Sequence, residues 1–128
     1  MRKVVSSIGL FLLIGTTSWY SASEKSALKK AQLIDPDAPT IVDIQMIDRT
    51  LSPADVIIYD DQDVTLRVTT DEAGEFHIAG YELLTDIFPG KISKILFTAE
   101  KQGRFSLEFH PSGTDEDVAV GALLVLPH

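Results

Sequence analysis

The stretch from Asp71 to Pro127 constrains the fold more than any other part of the chain. Around its centre, GEFHIAGYELLTDIFPGKISKILFTAEKQGRF, short apolar runs are separated by turn signals. The order is strand, Pro-Gly turn, strand, Gly turn, strand, acidic loop, strand. Residues 105–110 alternate cleanly: Phe105, Leu107 and Phe109 fall on one face, Ser106, Glu108 and His110 on the other. Pro89 and Gly90 predict a type II turn, because Pro sets φ at the first central position and Gly supplies the positive φ at the second. Many short strands at this spacing predict an antiparallel sandwich or barrel.

The preceding segment fits the same architecture. Val42, Ile44 and Met46 alternate with Asp43 and Gln45, and residues 56–59 form a run that is apolar on both faces. Val64, Leu66 and Val68 alternate with Thr65, Arg67 and Thr69, the pattern of a half-buried strand. RTLSP, DDQD and TTDEAGE are turns. Seven or eight strands and no convincing helix predict an all-β fold over residues 41–128.

With 128 residues and no cysteine, the sequence carries no disulfide, thiolate metal site or thiol chemistry. Packing must stabilise the fold, which about 90 residues of sandwich can support. Before the domain, Arg2 and Lys3 precede an apolar run over residues 4–14, and Ser21, Ala22 and Ser23 form a small-residue junction. Residues 1–23 are predicted to be a secretory signal, with an uncleaved membrane anchor as the alternative. Residues 24–40, with Pro36 and Pro39, are predicted to be a linker containing at most two helical turns. Both routes place the domain outside the cytoplasm, periplasmic or secreted. Cleavage after Ser23 leaves nine basic against nineteen acidic side chains, a net charge of -10. Such a surface disfavours nucleic acid and favours basic partners or cations. Contact with a membrane is expected only if the N-terminal segment is uncleaved.

Pro53 to Leu66 (PADVIIYDDQDVTL), FHIAGY at residues 76–81, Pro89-Gly90, FTAEKQGRF at 97–105 and VGALLVLP at 120–127 resemble, in order and spacing, the framework of the cupredoxins. This is the small Greek-key β-sandwich family of plastocyanin, azurin and cytochrome oxidase subunit II. The resemblance implies a type 1 copper site built from two imidazoles, a thiolate and a weak axial Met. Here the first His slot is Gly74, the Cys slot is Phe109, residues 112–116 offer no His, and Ala119 stands in the Met slot. The cupredoxin arrangement further implies that Gly74 lies beside Phe109 and His77 beside Ser106. His110 is then roughly 13 Å from His77, four steps of about 3.3 Å. Electron transfer at such a copper centre is not expected, and no cofactor is expected.

His77 and His110 should both point away from the core. His77 with Glu75 and Glu108, or else His110, are the candidate ligands for weakly bound copper or another cation, since the two histidines are not expected to converge on one ion. His128, at the last position, is expected to be mobile and to carry no role. The acidic residues Asp71, Glu72, Asp115, Glu116 and Asp117 are the candidate surface for an envelope protein or cation. Glycosidase carboxylates, nucleophile elbows, phosphate loops and zinc motifs are not apparent, so an enzyme is not expected. Two readings remain: a non-catalytic binding or accessory domain, and an envelope metal-handling protein.

Overall fold

The computed structural model describes residues 21–31 and 35–128. The expected secretory signal therefore falls, except for its last three residues, outside the described residues. The elements are helix α1 (Ala22–Ala31) and strands β1 (Thr40–Ile47), β2 (Thr50–Ser52), β3 (Asp55–Tyr59), β4 (Asp63–Thr70), β5 (Gly74–Ile78), β6 (Leu83–Ile87), β7 (Ser93–Thr98), β8 (Gly103–Pro111) and β9 (Val118–Leu126). They form a four-stranded sheet, β2-β1-β4-β7, and a five-stranded sheet, β3-β9-β8-β5-β6. The expected β-sandwich is present. It has nine strands rather than seven or eight, because Thr50–Ser52, read as a turn, pairs with β1. It is also mixed rather than purely antiparallel, since β1–β4 and β3–β9 run parallel.

The core follows from alternation. Ile44, Met46, Val64, Leu66, Val68 and Ile95 project from the four-stranded sheet. They meet Val56, Ile58, Phe76, Ile78, Ile87, Leu107, Phe109, Leu123 and Val125 from the five-stranded sheet. Full burial of each such side chain stabilises by about 1.5–3 kcal/mol relative to exposure. The Pro89-Gly90 turn closes as expected, with Gly90 at φ 81° and the Lys91 N–H donating to the Phe88 carbonyl at 3.2 Å.

A second apolar layer covers the other side of the five-stranded sheet. Ile57 and Tyr59 on β3 pair with Leu124 and Leu126 on β9, and with Ala122 all five are buried. They point away from the central core, and α1 packs against β3. The predicted linker is therefore partly a packed helix, held by specific contacts. Ser21 and Glu24 form a capping box: Glu24 N–H donates to Ser21 Oγ at 3.2 Å, and Ser21 N–H donates to Glu24 Oε1 at 3.1 Å. Ser23 Oγ donates to Asp55 Oδ2 at 2.7 Å, and Arg104 pairs with Glu24. Further along, Gln62 Nε2 donates to the Ala38 carbonyl at 2.8 Å, and the ring of His128 lies 2.9 Å from the Asp37 carboxylate. His128 is thus tied to the preceding segment, contrary to its expected mobility. At ten residues the helix is longer than the two turns expected and still marginal alone; a cap and packing on β3 stabilise it here.

Candidate functional site

The candidate residues cluster on β5 and β8, whose alternation sends side chains to two faces. Gly74, Phe76 and Ile78 face the core with Leu107 and Phe109, while Glu75 and His77 share the outer face with Glu108 and His110. The register differs from the expected one. Gly74 is opposite Pro111, Phe76 opposite Phe109, and His77 opposite Glu108. The slip is two residues, which leaves every side chain on its expected face. Hydrophobic patterning therefore could not detect it. Phe76 and Phe109 are thus direct cross-strand partners, and both are fully buried.

The corrected register brings the four outer residues together. Glu75 is opposite His110, next to His77 opposite Glu108. His77 and His110 are diagonal neighbours, with Cα atoms about 7–8 Å apart rather than four residue steps. Their side chains nevertheless use separate partners. His77 Nδ1 lies 3.7 Å from Glu108 Oε1, and its Nε2 lies 3.9 Å from Glu82 Oε1. His110 Nδ1 donates to the Glu116 carbonyl at 2.7 Å, and its Nε2 lies 3.8 Å from Asp117 Oδ1. That backbone bond places the proton on Nδ1 and turns Nε2 outward as the acceptor. Among the described residues, no three His, Cys, Asp or Glu side chains converge closely enough to hold an ion.

Glu82 was not singled out from the sequence. It sits at φ 54° in the tight bend after Gly80, where its carboxylate accepts from the Gly80 N–H at 3.1 Å and reaches back toward His77. A turn residue in the left-handed region has no periodicity by which to be found.

On the inner face, a Cβ at Gly74 would lie 2.2 Å from the His110 carbonyl oxygen and 2.5 Å from the Phe109 ring. The position therefore requires glycine because of close approach, and no imidazole fits there. Phe109 is fully buried against it. Above that ring stands Arg49, with its guanidinium carbon 5.9 Å from the ring centroid. Asp48 and Arg49 form the two-residue β1–β2 hairpin turn, both with positive φ (51° and 57°), as a type I′ turn requires. The turn directs the Arg49 fork onto Glu72, with Nε and Nη2 each 2.9 Å from a carboxylate oxygen, and onto Glu116 Oε1 at 3.2 Å. Those bonds raise the Arg49 pKa and hold that of Glu72 below the usual carboxylate value.

Together Gly74, Phe109 and Arg49 fill the region where the cupredoxin resemblance implies a metal. Ala119 and residues 112–116 are exposed and bring no imidazole or thioether. The residues present do not fit a type 1 copper ion.

The acidic candidates divide into two groups. Glu72 and Glu116 are bound by Arg49, and Asp71 Oδ2 accepts from the Asp48 N–H at 3.1 Å. Asp115 and Asp117 lie exposed in the β8–β9 loop. Beside that loop, Glu75, Asp86, Phe88, His110 and Thr114 border an open depression of about 460 Å³.

No family model and no curated protein sequence matches the chain. Solved structures do. An apo copper binding protein solved by NMR matches with a TM-score of 0.56 at 10% identity, covering 72% of this chain and 92% of its own. The periplasmic domain of cytochrome oxidase subunit II of Bradyrhizobium japonicum matches with 0.55 at 15% identity, covering 73% and 88%. Auracyanin A, a blue copper protein from Chloroflexus aurantiacus, matches with 0.52 at 13% identity, covering 69% and 99%. The chain has a cupredoxin-like fold.

Proposed function

We propose that this chain is an exported, non-catalytic, cupredoxin-like binding or accessory domain without a type 1 copper site. It presents its acidic end to a basic surface of an envelope protein. The observation that carries this reading is the filled ligand region: the Phe109 ring against Gly74, with Arg49 above it. At the same end the Arg49 guanidinium binds Glu72 and Glu116, Asp71 accepts from the Asp48 N–H, and Asp115 and Asp117 are exposed in the β8–β9 loop, so carboxylates outnumber the one guanidinium they accompany. Such a field speeds encounter with basic surfaces and is screened by salt. Arg49 pairs with Glu72 and Glu116, so the exposed carboxylates Asp71, Asp115 and Asp117, which it does not bind, are the charges assigned to docking.

The test compares the native chain with a variant carrying Asp71→Asn, Asp115→Asn and Asp117→Asn, using cross-linking in intact envelopes at low and high salt. A cross-linked protein present with the native chain, lost in the variant and weakened by salt supports the reading. Identical products for both chains overturn it.

One observation favours a second reading, weak handling of copper or another cation. The His110 Nδ1–H bond to the Glu116 carbonyl leaves the lone pair on Nε2, the form in which an imidazole binds a cation, with Asp117 Oδ1 3.8 Å away. Calorimetric titration with Cu(II), Zn(II) and Ca(II) separates the two. Stoichiometric micromolar binding that disappears on His110→Ala favours metal handling, and heats no larger than buffer exclude it.

A further inference from the structure

A sheet ends in strands whose outer backbone groups lack a neighbour, and native proteins blunt such edges. Three of the four edges here are blunted. β2 is three residues long, α1 packs against β3, and on β6 the Asp86 carbonyl accepts from Ser93 Oγ at 2.8 Å. The fourth edge, β7, is six residues long, has β4 as its one strand partner, contains no proline and keeps an unbroken register from Ser93 to Thr98. We propose that β7 is a self-association edge, which pairs antiparallel with β7 of a second copy about a two-fold axis at Leu96. The inference does not depend on what the acidic end binds.

Two features of the outer face of the four-stranded sheet select this occupant. The first is apolar. Leu96, 69% exposed, stands in the middle of the edge, and its row continues through Thr65 to Ile41, 64% exposed. The second is charge. In the neighbouring row Lys94 lies opposite Arg67, and Arg67 is already taken by Asp43, with Nη2 donating to Oδ2 at 2.8 Å. Lys94 has no acidic partner among the described residues. At the far end of β7, Thr98 lies opposite Asp63, whose carboxylate accepts from Thr98 Oγ1 at 2.7 Å.

An antiparallel partner must set outer face beside outer face, so pleat parity excludes every second register. With the axis at Leu96, the two Leu96 side chains meet and the apolar row runs unbroken across both copies. Lys94 then falls beside Thr98 of the second copy. Asp63 of the second copy stands one strand further on, about 9.6 Å from Lys94 between Cα atoms, or two strand spacings. The lysine leans across the threonine to that carboxylate, and symmetry makes the contact twice. An axis at Lys94 would oppose two like charges, and one at Ile95 would oppose Leu96 to Lys94. An axis at Phe97 would carry Lys94 past the end of β7. Any extended segment could bond the free backbone, but a second copy brings both the leucine and the carboxylate at the required spacing. A strand pair of this length lies at the small end of interface sizes, so association depends on concentration.

The chain has no cysteine, so Leu96→Cys supplies a single thiol per copy. On the axis its two Cα atoms are about 4.5–5.5 Å apart, within disulfide range. Ile41→Cys is nearly as exposed on the same face but would lie about 24 Å from its counterpart, five strand spacings, and reports random collision. The full chain, purified in mild detergent, is oxidised with diamide and followed on non-reducing gels. Leu96→Cys should form a linked dimer at least roughly tenfold faster than Ile41→Cys, because pairing raises the local thiol concentration. Adding Lys94→Glu should slow that linkage, and adding Asp63→Lys as well should restore it. Equal rates at positions 41 and 96 overturn the proposal, and selective linkage at 96 that ignores both charge changes overturns the register. In intact cells, a linked product of twice the chain's mass supports the second copy. Linkage of Leu96→Cys to a different protein in its place overturns it.

Discussion

The two faces of the β5–β8 pair carry side chains from the same stretches of sequence, yet one is closed and the other open. Inward, Gly74, Phe76 and Phe109 are fully buried and leave no room even for a methyl group at Gly74. Outward, Glu75, His77, Glu108 and His110 are neighbours in register, stay partly solvated and reach separate partners. The contrast separates fold from function. The chain has a cupredoxin-like fold, and on its inner face the Phe109 ring lies between Gly74 and the Arg49 guanidinium. These four ionisable side chains lie on the face turned away from the other sheet.

Substitutions should rank accordingly. Gly74→His, which restores the first ligand type of the family, should have the largest effect. Its Cβ meets a backbone carbonyl that cannot move without breaking the ladder. We expect a loss of more than about 4 kcal/mol in denaturant titration, or no folded protein. Native stability in this variant would show that the inner face can open. Next, Phe109→Ala should cost about 3–5 kcal/mol through the cavity it leaves. Because Phe109 and Gly74 touch, Gly74→Ala combined with Phe109→Ala should cost less than the sum of the single changes by about 0.5–3 kcal/mol. Strict additivity would break the claimed contact.

Arg49→Met tests the upper part of the closed side, and its effect should depend on pH. The folded-state pKa of Glu72 is depressed, chiefly by its hydrogen bonds from Arg49. The pair therefore contributes fully above the ordinary carboxylate value of 4.5 and loses its contribution as pH falls through the lower folded value. Urea titrations should show the variant less stable than the native chain at pH 7, with the gap closing toward pH 3 and narrowing in high salt. A gap that persists in acid would mean that Arg49 acts by packing on Phe109 alone. The smallest effect belongs to the open side. His77→Ala should change stability by no more than about 0.5–1 kcal/mol, because its carboxylate neighbours stand at 3.7 and 3.9 Å, beyond hydrogen-bond length. A larger loss would show the outer face to be structural.

Much of this molecule is legible in local patterns. The turn at Pro89-Gly90, the strand over residues 118–126 and the inward or outward direction of Phe76, His77, Phe109 and His110 all agree with the sequence reading. Each depends only on pleat parity or turn stereochemistry, properties of a few consecutive residues. Helix α1 is the clearest local signal read otherwise. Ser21 and Glu24 have capping-box spacing, but small residues after an apolar run fit a processing site equally well.

The rest required tertiary structure. A two-residue slip between β5 and β8 preserves parity, so alternation could not select the register that sets His110 beside Glu75 rather than four steps from His77. The position of Arg49 depends on a left-handed turn that joins β1 to carboxylates 23 and 67 residues away in sequence. The outer apolar layer, with Ile57 and Tyr59 under α1, exists because β3 runs parallel to β9 at the sheet edge and needs a cover. Local alternation determined which way each side chain points. Long-range pairing decided what it meets, because those contacts join segments that no short sequence window contains.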